Sequence, residues 1–161
     1  MWDGTRWTAA SAFEPPRRRA AALTYDLAHG RVVLFGGVDD TGADLGDTWQ
    51  WDGAWRPIPF GEPQPRARHA MAYDARRTAT VMFGGMAGDG HPLGDTWTWS
   101  GVDWQPIVTA APPARADHAM AYDAARDRIV LFGGDLQCAP GESHDSCPGD
   151  CGDSVSSSVQ R

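Results

Sequence analysis

The segment HAMAYD stands at residues 69–74 and recurs unchanged at 118–123, with a diverged copy, ALTYD, at 22–26. Each copy is followed by an apolar run that ends in a glycine pair, reading VVLFGG, TVMFGG and IVLFGG and ending at Gly37, Gly85 and Gly134. Because every copy keeps this order, the chain is built from a repeated unit of about 50 residues, a period typical of repeat architectures. This repeat decides how every other feature of the sequence is interpreted.

The aromatic residues keep the phase of the repeat. The three tyrosines are 48 and 49 residues apart, and GDTWQW at 46–51 matches GDTWTW at 94–99. Hairpin-like segments recur in step with them, reading WDGTRW, WDGAW and WSGVDW and beginning at Trp2, Trp51 and Trp99. All eight tryptophans lie in these motifs, so we interpret them as part of a structural frame. That frame comprises Tyr25, Tyr73, Tyr122, Gly36, Gly37, Gly84, Gly85, Gly133, Gly134, Trp49, Trp97, Trp51, Trp99, Trp55 and Trp104.

One repeat predicts four short strands, named A to D in chain order. In the second copy we expect them at 69–74, 80–85, 96–100 and 103–108, where β-branched and aromatic residues are concentrated. The Trp-x-Trp pattern of strand C has the period of a strand, so both rings point to one face. Asp52-Gly53 between two tryptophans is a tight-hairpin signal.

Four antiparallel strands per unit, a glycine pair after strand B and spaced tryptophans resemble the kelch repeat. The resemblance covers residues 1–135, and it points to bacterial kelch-like proteins of the superfamily that includes the central domain of galactose oxidase. It implies an all-β fold, a partial kelch-type β-propeller of about three four-stranded antiparallel blades with strand A innermost. It implies no activity, because this fold carries oxidases, epimerases and pure binding modules.

The order of the strands divides the chain into whole and partial blades. We expect a partial blade at 1–10, whole blades at 18–60 and 66–108, a half blade at 115–135 and a tail at 136–161. The two partial blades complement each other, which gives three blades, fewer than the four to eight of typical propellers. Either the chain is a fragment of a longer protein with further blades, or two copies form a homodimer that completes a six-bladed ring.

The composition excludes several functions. All 14 basic residues are arginine, so a Walker A lysine, a kinase-type ATP lysine and a Schiff-base lysine are absent. The net charge of −7 argues against nucleic acid as a partner. No apolar run reaches the roughly 20 residues of a membrane span, and no signal peptide is visible. Localisation stays open, with an extracytoplasmic place favoured if a parent chain carries a signal peptide.

A column of arginines is the first candidate binding feature. Arg18, Arg66 and Arg115 stand seven residues before each repeat tyrosine, and His69 and His118 stand four before it. In a propeller blade these residues lie in the connector that precedes strand A, at the mouth of the central channel. A ring of guanidinium groups there could clamp a carboxylate or an acidic peptide. The alternative is structural: each arginine pairs with a repeat aspartate such as Asp47 or Asp95 and ties adjacent blades together.

The loops after strand B are the second candidate. They read VDDTGADL, MAGDGHPL and DLQCAPGESHDSCPGDC, and variable loops on a repeated frame are where recognition is usually built. We therefore add His91 to the candidate partner-binding residues. The third loop holds Cys138, Cys147 and Cys151 near His144, at spacings that match no common zinc site, so we expect a disulfide rather than a metal. A frayed, serine-rich tail is expected after it.

No catalytic template is evident, and no cofactor is expected. A GxSxG elbow is absent. The copper-radical oxidases that share this fold need tyrosine and histidine ligands and a tyrosine joined to cysteine, whereas all three tyrosines here belong to the frame and the cysteines lie in one loop. Sialic-acid epimerases of similar architecture use channel arginines, which keeps Arg66 and Arg115 as an enzymatic alternative. The sequence therefore predicts a non-catalytic binding or scaffolding module that meets a protein or carbohydrate partner at the rim of the connectors and loops. The alternative is a fragment of a galactose-oxidase-like or epimerase-like propeller enzyme, with catalytic residues partly on missing blades.

Overall fold

The computed structural model describes residues 1–9, 13–59 and 63–136 and contains ten β-strands in this part of the chain. The strands are β1 (Ala22–Asp26), β2 (Arg31–Phe35), β3 (Thr48–Trp51), β4 (Trp55–Ile58), β5 (Ala70–Asp74), β6 (Ala79–Phe83), β7 (Thr96–Trp99), β8 (Trp104–Ile107), β9 (Ala116–Asp123) and β10 (Arg128–Asp135). No helix occurs in the described ranges, and none there could cross a membrane.

The strands form three antiparallel sheets in chain order. Strands β1 to β4 make one four-stranded meander, blade 1, and β5 to β8 make a second, blade 2. Strands β9 and β10 pair with each other and form half-blade 3. Near the N-terminus an isolated bridge joins Trp2 to Trp7. This architecture is a partial β-propeller, so the prediction of an all-β fold with four-stranded antiparallel blades is confirmed.

The observed strands of blade 2 are slightly shorter than the sequence predicts. Strand A starts at Ala70 rather than at residue 69, and Arg68 just before it has a left-handed φ of 59°. Strand B ends at Phe83, before the glycine pair, where Gly84 has a φ of 64° and Gly85 one of 104°. In blade 2 these residues lie outside the ladder of β5 and β6, whereas in half-blade 3 the pairing continues past Asp117, Gly133 and Gly134, which also have positive φ. The hydroxyl of Ser100 accepts hydrogen bonds from the next turn, so strand C stops at Trp99.

The innermost strands of successive blades lie side by side, with β5 between β1 and β9. Backbone hydrogen bonds link them at the start of each strand: the Arg68 N–H donates to the Ala20 carbonyl at 2.8 Å, and the Asp117 N–H donates to the Arg68 carbonyl at 2.9 Å. A second link runs through the glycine pair after strand B, which we call the glycine corner. There the Gly85 N–H donates to the Arg115 carbonyl at 2.9 Å. The blades are therefore held together at one end by main-chain contacts.

The largest buried cluster lies between blade 1 and blade 2 rather than within either sheet. Its buried members are Val33, Phe35, Met71, Met82, Trp99 and Trp104. The Trp104 ring packs edge-on against Phe35, with centroids 5.4 Å apart, and its Nε1 donates to Thr48 Oγ1 at 3.0 Å. A buried tryptophan of strand D thus provides both apolar area and a satisfied polar contact.

The glycine corner after strand B sets the distance between blades. A Cβ at Gly84 would stand 2.6 Å from the Arg115 carbonyl oxygen, and one at Gly85 would stand 2.7 Å from the Ala67 carbonyl oxygen. Both residues also have positive φ. Only glycine fits a position that combines this backbone conformation with such a close approach.

Candidate functional site

One end of the blades carries the residues that the sequence nominates for recognition. We call this end the rim and define it by the connectors at 16–21, 64–69 and 113–118 and the loops at 38–46 and 86–94. Single bridges join each loop to the connector of its own blade, as between Arg19 and Val38 and between Ala67 and Met86. The loops are therefore pinned at their base by the same segments that precede strand A.

The arginine side chains of the first two connectors are bound by aspartates of the frame. Arg18 donates from Nη1 and Nη2 to the two carboxylate oxygens of Asp47, at 2.6 and 2.9 Å, and Arg66 does the same to Asp95, at 2.6 and 2.8 Å. Each Nη1 also donates to the carbonyl oxygen of a corner glycine at 3.1 Å. The Arg66 side chain is 0% exposed. Arginine and aspartate belong to one blade, so the side chains brace a blade internally.

This geometry refines the structural alternative for the arginine column. The pairing with Asp47 and Asp95 is present, but the link between adjacent blades runs through the main chain of the connector instead. The Arg66 carbonyl accepts from the Gly37 N–H of blade 1 at 2.9 Å, while its guanidinium binds blade 2. A role for Arg18 and Arg66 in partner binding stays a prediction.

The paired aspartates are held ionised by their surroundings. Burial by itself would raise the pKa of Asp95, but hydrogen bonds from Arg66 and Trp97 and the guanidinium charge outweigh it and lower the pKa below its usual value. The Trp97 Nε1–H donates to the same carboxylate at 2.6 Å. Asp47 has the same arrangement, with Arg18 and Trp49 as its donors and a lowered pKa. The first tryptophan of each strand C therefore stabilises the ionised aspartate in addition to packing in the sheet.

Arg115 differs from the other two arginines. Its Nε donates to the Pro113 carbonyl and its Nη1 to the Gly133 carbonyl, both at 3.1 Å, which reproduces the main-chain contacts of Arg66. Among residues 1–9, 13–59 and 63–136, no carboxylate pairs with it. The half blade thus presents the arginine in the same orientation, without the aspartate that strand C supplies in blades 1 and 2.

The two candidate histidines pack between blades. The His69 ring lies edge-on to Phe35 of blade 1 at 5.5 Å, and the His118 ring lies in the same way against Phe83 of blade 2 at 5.5 Å. No ring nitrogen of either residue makes a hydrogen bond of good geometry in the described structure, although the backbone of Phe35 acts to raise the pKa of His69 and that of Phe83 acts to raise the pKa of His118. Burial, with the Arg66 charge acting in the same direction, lowers the pKa of His69 to about 3, and burial lowers that of His118 to about 4. Both imidazoles are therefore uncharged at neutral pH and fill the space between adjacent blades.

The loops present exposed polar groups on ordered turns. In the first loop, Asp39 Oδ1 accepts from the backbone and hydroxyl of Thr41 at 2.8 and 2.6 Å and from the Ala43 N–H at 3.0 Å. In the second loop, the His91 N–H donates to Asp89 Oδ1 at 3.1 Å and the His91 side chain is exposed. Of the six partner-binding residues predicted from the sequence, His91 is the one that is exposed on the rim. These turns let the loops present their side chains in a defined geometry.

The structure adds three rim residues that sequence reasoning missed. Ala20, Arg68 and Asp117 occupy one repeat position and all have positive φ, at 54°, 59° and 58°, although none is glycine. Such conformations are uncommon for residues with a Cβ and concentrate at functional sites. The Arg68 and Asp117 side chains form an exposed ion pair at 3.2 Å. In the sequence, this position changes from Arg68 to Asp117 between the same Ala and His neighbours in the last two copies, but its shared backbone conformation has no sequence signature.

A partly buried carboxyl completes this part of the rim. Asp44 belongs to the first loop, and burial raises its pKa while the charge of Arg68 acts in the opposite direction. Its carboxylate also faces Gly88 in the second loop, where a Cβ would come within 3.6 Å. Asp44, Arg68 and Asp117 thus bring alternating charges together from two blades and the half blade.

The predicted disulfide lies outside the described residues, because Cys138, Cys147 and Cys151 all follow residue 136. Within the described ranges, no group of three or more His, Cys, Asp or Glu side chains could hold a metal ion.

Comparison with known proteins supports the fold. The chain is similar to the solved structure of YjhT, with a TM-score of 0.67 at 16% sequence identity. The match covers 83% of this chain and 49% of YjhT, so the chain spans about half the length of that protein. No protein-family model and no curated protein sequence matches the chain. At this identity the likeness concerns the fold alone.

Proposed function

We propose that the protein is a binding or scaffolding module of kelch type that recognises a protein or carbohydrate partner through the rim. The observation that carries the proposal is the column Ala20, Arg68 and Asp117. The backbone of these residues is fixed by hydrogen bonds from blade to blade, while their side chains differ in size and charge. A rigid frame with variable side chains at one position is the arrangement that binding surfaces use.

The charge of the rim favours a polar partner. Exposed carboxylates and exposed guanidinium groups occur there in equal number, which suits a ligand with several hydroxyl groups. The exposed acidic residues are Asp40, Asp89 and Asp117, with Asp39 and Asp44 half-buried, and the exposed basic residues are Arg17, Arg19 and Arg68. Hydroxyl groups can both donate to a carboxylate and accept from an arginine. Such a surface binds through several modest contacts rather than one deep pocket.

The ring of arginines expected from the sequence contributes less to this proposal than the exposed side chains of the rim do. Arg18 and Arg66 have their Nη donors engaged by Asp47 and Asp95 and by glycine carbonyls, which leaves little for a ligand. Arg115 has the same orientation without a carboxylate partner in the described chain. Exposed Arg68 and His91 are therefore the stronger choices for mutation.

A binding screen with a matched control tests the proposal. The purified protein is applied to an array of neutral and acidic glycans and to a panel of basic and acidic peptides, and Arg68→Ala is compared with Arg76→Ala. Arg76 is also exposed and paired with an aspartate, Asp127 at 2.7 Å, but it lies in the turn between β5 and β6 at the opposite end of blade 2. We expect Arg68→Ala to weaken capture at least tenfold and Arg76→Ala to leave it unchanged. Equal effects of the two variants, or binding to no member of either set, would count against the rim.

A further inference from the structure

An open groove of about 480 Å³ lies between blade 2 and half-blade 3. Blade 2 contributes Val81, Phe83, Thr96 and Ile107 to its wall, and half-blade 3 contributes Met120 and Leu131. The groove occupies the place where strands C and D of a complete third blade would stand. Its lining is largely apolar, and exposed apolar surface of this kind usually marks an interaction site.

The same place between blade 1 and blade 2 shows what the groove is shaped to hold. The repeat equivalents of the six residues named above are Val33, Phe35, Thr48, Ile58, Met71 and Met82. There the space is filled by Trp99 and Trp104, with Trp104 against Phe35 and bonded to Thr48. The groove therefore lacks one pair of tryptophans from a hairpin that joins strands C and D.

The chain carries one such hairpin outside its blades, at residues 1–8. The Trp2 and Trp7 rings are 5.7 Å apart at 40°, and those of Trp99 and Trp104 are 5.4 Å apart at 51°. The turns also agree: the residue after the first tryptophan donates its N–H to the carbonyl three residues on, at 3.3 Å from Asp3 and at 3.1 Å from Ser100. Trp2 is 53% exposed and Trp7 is 78% exposed.

Within residues 1–161, no other segment supplies a free pair of tryptophans. The remaining six tryptophans lie in β3, β4, β7 and β8, and residues 137–161 contain no Trp, Tyr or Phe. The hairpin also cannot belong to the groove of its own chain. Trp7 precedes Ala22 of β1 by the same interval that separates Trp55 from Ala70 of β5, so the hairpin belongs beside blade 1, on the side away from blade 2.

We propose that a second copy of this chain donates its Trp2–Trp7 hairpin to the groove and receives the hairpin of the first copy in return. The two contacts are related by a two-fold axis, so the assembly closes as a dimer with no free groove. Each composite blade then combines β9 and β10 of one copy with the hairpin of the other. Two copies also provide about the chain length of the similar propeller, of which this chain spans half.

The exposed faces at the two ends of the chain agree with this dimer. Leu23 of β1 is 54% exposed, whereas its repeat equivalent Met71 in blade 2 is 8% exposed. On half-blade 3, Phe132 is also exposed, whereas its equivalents Phe35 and Phe83 are buried against a following blade. In the dimer, Phe132 of one copy faces blade 1 of the other, so both surfaces become buried between blades.

Light scattering coupled to size exclusion, with complementary variants, tests the proposal. Trp7→Ala removes the donor, and Ile129→Arg places a charge in the groove, which Ile129 lines. We expect the unmodified protein at twice its chain mass of 17.4 kDa and each variant alone at the single mass. An equimolar mixture of the two variants retains one intact hairpin and one intact groove, so the double mass should return at least in part. Leu27→Ala, an exposed position in the turn after β1, is the control and should stay dimeric.

Three results would overturn the proposal. One is the single mass for the unmodified protein, because the groove would then not be filled by a second copy. Another is a dimer that survives Trp7→Ala, because the hairpin would then not be the donor. The last is a mixture that fails to recover the double mass although both variants give native circular dichroism. Thr98→Arg, on the blade 2 side of the groove, replaces Ile129→Arg if that variant does not fold.

Discussion

Arg66 carries a fully enclosed charge in the described part of the chain. Two of its nitrogens bind Asp95, a third contact reaches the Gly84 carbonyl, and its Nε donates to the Gln64 carbonyl at 3.2 Å. A buried guanidinium needs this number of acceptors, because a charge left unpaired in the interior is costly. The arginine column of the repeat is therefore explained by the frame, whether or not a partner also uses it.

Replacing the aspartate partner should expose this dependence. We expect Asp95→Asn to lower the free energy of unfolding by about 2 kcal/mol, since it leaves the buried Arg66 charge without its carboxylate, while the 41% exposure of the Asp95 side chain lets solvent screen part of the loss. Asp117→Asn is the matched control, because its pair with Arg68 is exposed and should be worth less than about 1 kcal/mol. Urea unfolding followed by tryptophan fluorescence measures both, and similar losses in the two variants would contradict the framework role of Arg66.

The buried histidines predict a specific dependence of stability on pH. In the folded protein the pKa values of His69 and His118 are about 3 and about 4, whereas the ordinary value is 6.5. The unfolded chain therefore binds more protons in this range, so their stabilising contribution is complete above pH 6.5 and is lost as the pH falls toward 4 and 3. Each group adds a slope of up to about 1.4 kcal/mol per pH unit.

Substitution of one histidine isolates this effect. His69→Phe removes the titrating ring and two nitrogens that make no hydrogen bond of good geometry, while it keeps the edge-on contact with Phe35. We expect the variant to lose about half of the decline in stability between pH 6.5 and pH 4.5, as measured by urea unfolding at several pH values. An unchanged decline would show that carboxylates rather than the inter-blade histidines govern acid sensitivity.

At the scale of strands, local sequence predicted most of what is observed. The four strands per repeat and the hairpin at Asp52-Gly53 follow from alternation, β-branched residues and glycines, all of which are local signals. The ends of β5 and β6 were misplaced by a residue or two, because Arg68 and Gly84 leave the ladder for reasons set by the neighbouring blade. A contact between Gly84 and the Arg115 carbonyl is long-range and has no local signature.

The glycine corner after strand B offers a test at this scale. Gly84→Ala should destabilise the protein by about 3 kcal/mol, since a methyl group adds overpacking against the Arg115 carbonyl and His118 of half-blade 3 to an unfavourable left-handed φ. Gly90→Ala is the control: its φ is 83°, but no atom lies within 4 Å of the added Cβ, so a cost of about 1 kcal/mol is expected. If both variants lose the same stability, close approach between blades does not explain the glycine pair.

The recognition surface was only partly predictable. The sequence nominated the correct segments, the connectors and the loops after strand B, because these are the parts of a repeat that vary. It could not distinguish exposed side chains from buried ones. Arg66 and His69 recur in step with the repeat, as the residues of a ring-shaped binding site would, yet both are buried. Arg68 and Asp117 could be recognised only once the structure showed a shared left-handed conformation at positions of different sequence. Their part in binding, and the enzymatic alternative, stay predictions.

At the scale of the whole molecule, the arc of blades has two unlike ends. One end carries the paired rings of Trp2 and Trp7, and the other carries the groove that matches the seat of Trp99 and Trp104. An isolated arc exposes apolar faces that every interior blade buries, which favours association over a free monomer. The strand order derived from the sequence predicted complementary ends, but the groove itself is a product of the packed sheets.

The most direct test of this account is a photo-cross-link from the donor hairpin. Trp7→p-benzoylphenylalanine is prepared in protein of natural isotope content and in fully ¹⁵N-labelled protein, and the two are mixed, allowed to exchange and irradiated. We expect mass spectrometry to find position 7 joined to groove residues such as Phe83, Met120 or Leu131, with one light and one heavy end in a large share of the products. Cross-links whose two ends always carry the same isotope, or none to the groove, would contradict the exchange of hairpins between two copies.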